Sequence, residues 1–255
     1  MIQVEKISKQ FGKFKVLSDV SFTCGTGECI ALIGPNGSGK TTLIKAILGM
    51  VIPDSGIISF KGKNIANDWN YRNDIGYMPQ IGRYPENMTI GQVLDMMKDI
   101  RKVPENQLDT DLASAFEIEK LLDKRMGTLS GGTRQKVSAC LAFMFNSQVL
   151  ILDEPSAGLD PVSSEILRDK ILSEKEKNKL VIITSHILSE LDDLITEVIY
   201  MQDGRARFHK SLDTLRRDTG EEKLSRAIAS VMRQNQIADS TSMGSQVHSS
   251  KTQCI

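Results

Sequence analysis

Eight residues, Gly34-Pro35-Asn36-Gly37-Ser38-Gly39-Lys40-Thr41, carry the clearest chemical content of the chain. They fit the pattern G-x-x-x-x-G-K-[ST], which binds phosphate when it follows a strand and opens a helix. Glycines allow successive backbone N–H groups to turn inward around phosphate oxygens, and a helix start adds roughly half a positive charge. Lys40 is placed to reach the outer phosphates, and the Thr41 hydroxyl to ligate Mg²⁺. Thr42 extends the same helix start. A second feature is Val149-Leu150-Ile151-Leu152-Asp153-Glu154-Pro155, an aliphatic run ending in two acids. Asp153 suits a hydrated Mg²⁺, and Glu154 suits the general base that polarises an attacking water. Paired acids at a strand end are more often a solvated turn, but behind a phosphate loop the catalytic reading prevails. A guanine reader needs Asn-Lys-x-Asp, and Asn178-Lys179-Leu180-Val181 lacks the acid. Adenine is the expected base.

The elements that must hold these residues are legible in the pattern. Glu28-Cys29-Ile30-Ala31-Leu32-Ile33 is an apolar run of the type buried on both faces, and it leads into the glycine loop. Thr41 to Leu48 reads as a helix stopped by Gly49. Val149 to Leu152 and Leu180 to Thr184 read as interior parallel strands, and Glu197 to Met201 as a strand entering an Asp203-Gly204 turn. Residues 2–7 and 16–22 alternate in polarity, as strands of a small antiparallel sheet do. Between residues 82 and about 146 the pattern turns helical: Ile90, Val93, Leu94, Met97 and Ile100 share one spacing, as do Leu112, Ala115, Phe116 and Ile118. Glu221 to Arg233 reads as a short amphipathic helix with Leu224, Ile228 and Val231 on one side. From residue 235 on, Ser, Thr and Gln dominate, as in a disordered tail.

Composition narrows the classes. The chain has 255 residues, with 32 Lys+Arg balanced by 32 Asp+Glu. Zero formal charge argues against a nucleic-acid coat. Hydrophobic residues at 40% and charged residues at 25% describe an ordinary folded domain. Cys24, Cys29, Cys140 and Cys254 form no metal-ligand spacing and read as reduced thiols. The longest apolar runs fall far short of the roughly 18 residues that span a bilayer.

A third motif, Leu129-Ser130-Gly131-Gly132-Thr133-Arg134-Gln135-Lys136, lies about twenty residues before the acid-ended strand. Together the three motifs resemble the nucleotide-binding domain of ABC-family ATPases, whose signature reads Leu-Ser-Gly-Gly-Gln. The resemblance covers residues 1 to about 215 and implies an α/β P-loop NTPase core. That core would have a mostly parallel sheet, a small antiparallel β-subdomain and a helical insertion at about 82–146. The cassette would occupy 1–220, a C-terminal helix 221–234 and a tail 235–255.

Roles follow from the same resemblance. Ser130 with the Gly131 and Gly132 amides would form a second anion cradle. Gln80 would sense Mg²⁺ and the attacking water, and His186 would contact the γ-phosphate. Ser156-Ala157-Gly158-Leu159-Asp160 would be the D-loop of a dimer interface. Phe11 would stack on adenine; a core phenylalanine is its competing reading, and Phe14 is a second candidate. The sequence departs from the family at Thr133, where Gln is usual, and at Phe11, where Tyr is commoner.

Family geometry would place each Mg-ATP between Lys40 of one chain and Ser130 of a second, identical one. It would couple the pair to integral membrane permease subunits on the cytoplasmic face of the inner or plasma membrane, with no nucleic acid involved. Tyr84, Pro85, Met88 and Ile90 are the expected permease contact, ordinary packing being the competing reading. The C-terminal region, read as carrying no further regulatory domain, is similar to export-type or ABC-2-type subunits. A similarity to the ATPase of the transporter serving nitrous-oxide reductase maturation would imply a copper- or sulfur-related cargo. A soluble ABC ATPase of iron–sulfur cofactor assembly would carry identical motifs and is the alternative.

Overall fold

The structure, a computed structural model, describes residues 1–233; the expected tail 235–255, and Cys254 with it, lies outside them. Its centre is a six-stranded sheet in the order β10-β9-β3-β8-β7-β6. These strands are β3 (Cys29–Ile33), β6 (Ile75–Met78), β7 (Val149–Asp153), β8 (Leu180–Thr184), β9 (Glu197–Gln202) and β10 (Arg205–Ser211). All pair in parallel except β10, which returns antiparallel along β9. A second, antiparallel sheet joins β1 (Ile2–Phe11), β2 (Phe14–Cys24), β4 (Ser55–Phe60) and β5 (Lys63–Asn64) in the order β2-β1-β4-β5.

The unbroken apolar runs have a simple origin. In β3, Ile30 and Leu32 face a core shared with β1, β2 and helix α1 (Lys40–Ile47), whereas Cys29, Ala31 and Ile33 face a second core on the other side. β7 and β8 split the same way, with Leu150, Leu152, Val181 and Ile183 opposite Val149, Ile151, Leu180 and Ile182. A strand buried on both faces must be apolar at every position. Cys24, Cys29 and Cys140 are buried free thiols, each pushed up to about 12 by desolvation.

The second core belongs largely to the helical segment: α2 (Ile90–Arg101), α3 (Asp111–Ala115) and α4 (Gly131–Phe143). Helix α2 begins with a capping box in which Thr89 accepts from Gln92 N and Gln92 accepts from Thr89 N. Two expectations are corrected here. The Leu112–Ile118 spacing is not one helix: α3 ends at Ala115, and Glu117 turns left-handed (φ +53°) before a 3₁₀ turn at Ile118–Leu121. That break lets both Phe116 and Ile118 enter the core. Ile90 is no docking residue, because the cap sets it inward among Val93 and Val137, fully buried.

Helix α5 (Pro161–Glu176) packs beside β8, and α6 (Leu212–Thr219) follows β10. The last described helix covers residues 224–233 and buries Leu224, Ala227, Ile228 and Val231. It starts later than the expected Glu221 because its first N–H, on Leu224, is taken by Asp192 at 2.9 Å. Among the described residues no helix is long and apolar enough to cross a membrane.

Candidate functional site

Four neighbouring strands deliver the site. Gly34 directly follows β3, Gln80 lies two residues beyond β6, Asp153 ends β7 and His186 lies two residues beyond β8. Ligand sites of open α/β sheets form at these carboxyl ends. The site is therefore a consequence of parallel pairing as much as of any motif.

The loop after β3 is folded by close approach. Gly34 has φ +152°, and a Cβ there would collide with the Met201 carbonyl oxygen, so no side chain fits. The loop then opens α1, whose Lys40 donates to the Gly34 and Pro35 carbonyls at 2.7 and 3.1 Å. A cavity of about 390 Å³ lies against it. Asn36, Gly37, Ser38, Gly39, Lys40, Thr41 and Thr42 line it together with Gln80, Asp153, Glu154 and His186. Burial, only partly offset by Glu154 and Asp153, holds the Lys40 ammonium below its ordinary value. Ser38 Oγ is buried without a hydrogen-bond partner among the described residues, an unmet polar group beside the cradle.

The acid pair is held from behind. Thr184 Oγ1 donates to Asp153 Oδ1 at 2.5 Å and accepts the Glu154 N–H at 3.0 Å, an N–H that also reaches the Thr184 carbonyl at 3.1 Å. Glu154 takes a left-handed backbone (φ +51°), a costly conformation for a side-chain-bearing residue. Its Oε1 lies 2.9 Å from His186 Nε2, which must carry the proton when Glu154 is ionised. Burial raises the Asp153 pKa, the Thr184 hydrogen bond opposes that, and Glu154 adds to it. The Asp153 and Glu154 carboxylates with the Thr41 hydroxyl and the Gln80 amide oxygen suit a hard divalent cation, and the backbone amides and Lys40 suit phosphate. The residues present thus fit Mg²⁺ with a nucleoside triphosphate.

Not every expected residue joins this cavity. Ser130, Gly131 and Gly132 do not line it; Ser130 instead caps α4, accepting from Thr133 N at 3.2 Å. Asp160 does not line it either. Its carboxylate caps α5 through Ser163 N (2.9 Å) and Oγ (2.7 Å) and pairs with Lys136 at 3.1 Å. Those partners, Ser163 first, hold its pKa well below the carboxylate range. The two outlying groups meet each other, since a Cβ on Gly132 would stand 2.8 Å from the Gly158 carbonyl oxygen. Phe11 and Phe14 are not core residues: they pair across the β1–β2 hairpin and are 48% and 78% exposed. Lys9 Nζ sits 5.4 Å from the Phe11 ring centre. Sequence reasoning missed Thr184 and Gln135; the latter reaches the Glu154 and Pro155 carbonyls at a long 3.4 Å.

Comparison with known proteins identifies the family. A family model described as ABC transporter matches residues 17–157. The "Nod factor export ATP-binding protein I" of Burkholderia lata is 31% identical over 208 residues, 80% of this chain and 68% of its own length. Its counterpart from Rhizobium etli is 31% identical over 222 residues, 84% of this chain and 70% of its own. The chain thus spans about two thirds of these relatives. Among solved structures, an ATP-binding subunit of an ABC transporter superposes with a TM-score of 0.84 at 29% identity, covering 91% of this chain and 99% of its own. A nucleotide-free ATP-binding cassette gives 0.72 at 26%, covering 89% and 98%. The three motifs, the strand ends that present them and these likenesses converge: the chain belongs to the ABC transporter family, as its ATP-binding and ATP-hydrolysing cassette.

Proposed function

We propose that two copies of this cassette close head to tail, each ATP lying between the Lys40 loop of one and the Ser130 loop of the other, to drive permease subunits. The observation carrying this reading is the division of anion-binding groups within one chain. Lys40, Gln80, Asp153, Glu154 and His186 share a cavity, whereas Ser130, Gly131 and Gly132 lie outside it on an exposed helix start. One copy has half of a nucleotide enclosure in each of two places.

In this reading the glycine-loop amides and Lys40 bind and orient the phosphates. Asp153, Thr41 and Gln80 would hold Mg²⁺, which when bound would supply charge neutralisation at the phosphates. Glu154 accepts the proton of the water that attacks the γ-phosphorus as the bond to the β-phosphate oxygen breaks. His186 fixes the orientation of the Glu154 carboxylate. Phe11, exposed at the hairpin, stacks on adenine. Loss of the γ-phosphate then removes ligands on both sides of the seam, and the pair opens.

The relatives' naming as export ATP-binding proteins supports an export direction. Attachment to the cytoplasmic side of a membrane follows through the permease. A copper- or sulfur-related cargo has only the sequence similarity behind it, and identifying the co-purifying permease decides it. For docking we assign the open groove along α2 lined by Asn87, Met88, Gln92, Met96, Asp99 and Ile100, which keeps Met88 from the expected patch.

The decisive experiment is Glu154→Gln with Mg-ATP. Turnover should fall by roughly 10²–10⁴, ATP should stay bound, and size-exclusion chromatography with light scattering should show an ATP-dependent dimer. Hydrolysis at the wild-type rate would remove Glu154 as base. A variant that binds ATP but stays monomeric at high concentration would remove the shared enclosure.

A further inference from the structure

The residue that departs from the family motif, Thr133, sits where it can act on Ser130. Ser130 Oγ accepts the Thr133 N–H at 3.2 Å, and the Thr133 hydroxyl lies 2.9 Å from the same oxygen. A serine hydroxyl has one proton and two lone pairs. One lone pair is committed to the N–H, so the arrangement of the two hydroxyl protons decides what Ser130 shows to solvent. If Ser130 donates to Thr133, its proton is spent and a lone pair faces outward. If Thr133 donates to Ser130, both lone pairs are filled and the Ser130 proton must point away from the helix. A phosphate oxygen repels the first arrangement and accepts from the second.

We infer that Thr133 is a positioning residue that turns the Ser130 proton outward, making Ser130 a committed donor to the phosphate bound by the opposite copy. This rests on the reading of the Ser130 loop given above and adds to it the group that sets the proton. The geometry favours the role in three further ways. Ser130 and Gly131 are exposed, while Thr133 is half-buried, so the donor is supported from behind and its target side is open. Threonine in a helix is confined chiefly to two χ1 rotamers, so limited rotamer entropy is lost in holding the hydroxyl there. A relay Thr133 → Ser130 → phosphate polarises each bond by the next, which strengthens the last one. The cap itself does not depend on the hydroxyl, because it uses the Thr133 backbone N–H.

That separation makes a clean test. Thr133→Val keeps shape, branching and the capping N–H and removes only the hydroxyl. Thr133→Ser keeps the hydroxyl. In a Glu154→Gln background, the Mg-ATP concentration giving half-maximal dimer should rise about fivefold for Thr133→Val, the scale of one hydrogen bond. It should return close to the parent value for Thr133→Ser. In the otherwise wild-type chain, KM for ATP should rise more than kcat falls. Affinity of the monomer for a fluorescent ATP analogue, measured below dimerising concentration, should not move. Ser130→Ala should impair dimerisation at least as much, and adding Thr133→Val to it should cost nothing further.

Dimerisation unaffected by Thr133→Val while Ser130→Ala impairs it would overturn the inference and leave the shared enclosure standing. A Thr133→Ser chain as weak as Thr133→Val would overturn it too, assigning the effect to packing. Should Ser130→Ala itself leave dimerisation and KM unchanged, the enclosure reading fails and this inference with it.

Discussion

Thr184 uses one hydroxyl twice, giving its proton to Asp153 and a lone pair to the Glu154 N–H. Replacing it with Val leaves a partly buried carboxylate without its donor, and bonds to charged groups are worth about 1.5–3 kcal/mol. Thr184→Val should therefore lower ATPase activity roughly 10- to 100-fold and raise the Mg²⁺ concentration for half-maximal rate, whereas Thr184→Ser should retain both. Activity titrated with Mg²⁺ at fixed ATP checks it; equal behaviour of Val and Ser would show the hydroxyl idle. The glycine loop and the acid pair were legible in the sequence because their chemistry is local: neighbours in the chain are neighbours in space. Thr184 was legible only as the end of a strand. Its contact exists because β7 and β8 align Asp153 with Thr184, and register between strands thirty residues apart is set by packing rather than by a motif. Phe11 and Phe14 were ambiguous for a related reason, since a hairpin tip exposes apolar residues that a strand interior would bury.

Between elements, the helical segment is tied to the sheet core by buried charge. Lys170 of α5, 5% exposed, reaches Asp109 at 2.5 Å, Asp111 at 2.7 Å and Glu174 at 3.2 Å. Glu174, 1% exposed, also meets Lys177 and Lys179. Despite its burial, Glu174 is brought down to about 2 by its lysines, and Lys170 is raised above its ordinary value by its acids, burial opposing. The stability owed to Glu174 is present above its ordinary 4.5 and is lost as pH falls toward 2. That owed to Lys170 is present below its ordinary 10.5 and is lost only as pH rises beyond it. Stability contributed by this cluster should be level from about pH 5 to 10 and fall in acid. Lys170→Met should cost about 3–5 kcal/mol at neutral pH, because it strands the buried Asp109 carboxylate. Urea unfolding at pH 7 measures this, and a loss under 1 kcal/mol would mean the cluster is solvated. None of it could be read from the sequence, where Asp109 and Lys170 are merely charged residues in different helical patterns. The amphipathic spacing of α2 was readable; the inward turn of Ile90 was not, because the cap at Thr89 sets the rotation of the helix.

On the scale of the molecule, the apolar strands and glycine loop made the α/β core legible, while the groove proposed for docking was not. The groove along α2 carries Ile100, 64% exposed, beside Met88 and Met96. Glutamate at Met96 and Ile100 together should abolish co-purification of an integral membrane subunit while leaving ATP-dependent dimerisation in solution intact. Permease retained by that double variant would move the docking surface elsewhere.

The Lys136–Asp160 pair and the approach of Gly132 to Gly158 have a further result. They bring the start of α4 against the segment leaving Glu154, a contact through which a tilt of one would reach the other. In the proposed closed pair, the start of α4 would belong to one ATP and Glu154 to its twin, and the two turnovers would be mechanically geared. A mixed assembly with one Glu154→Gln chain should then run at well under half speed, and the rate should rise with ATP more steeply than a hyperbola.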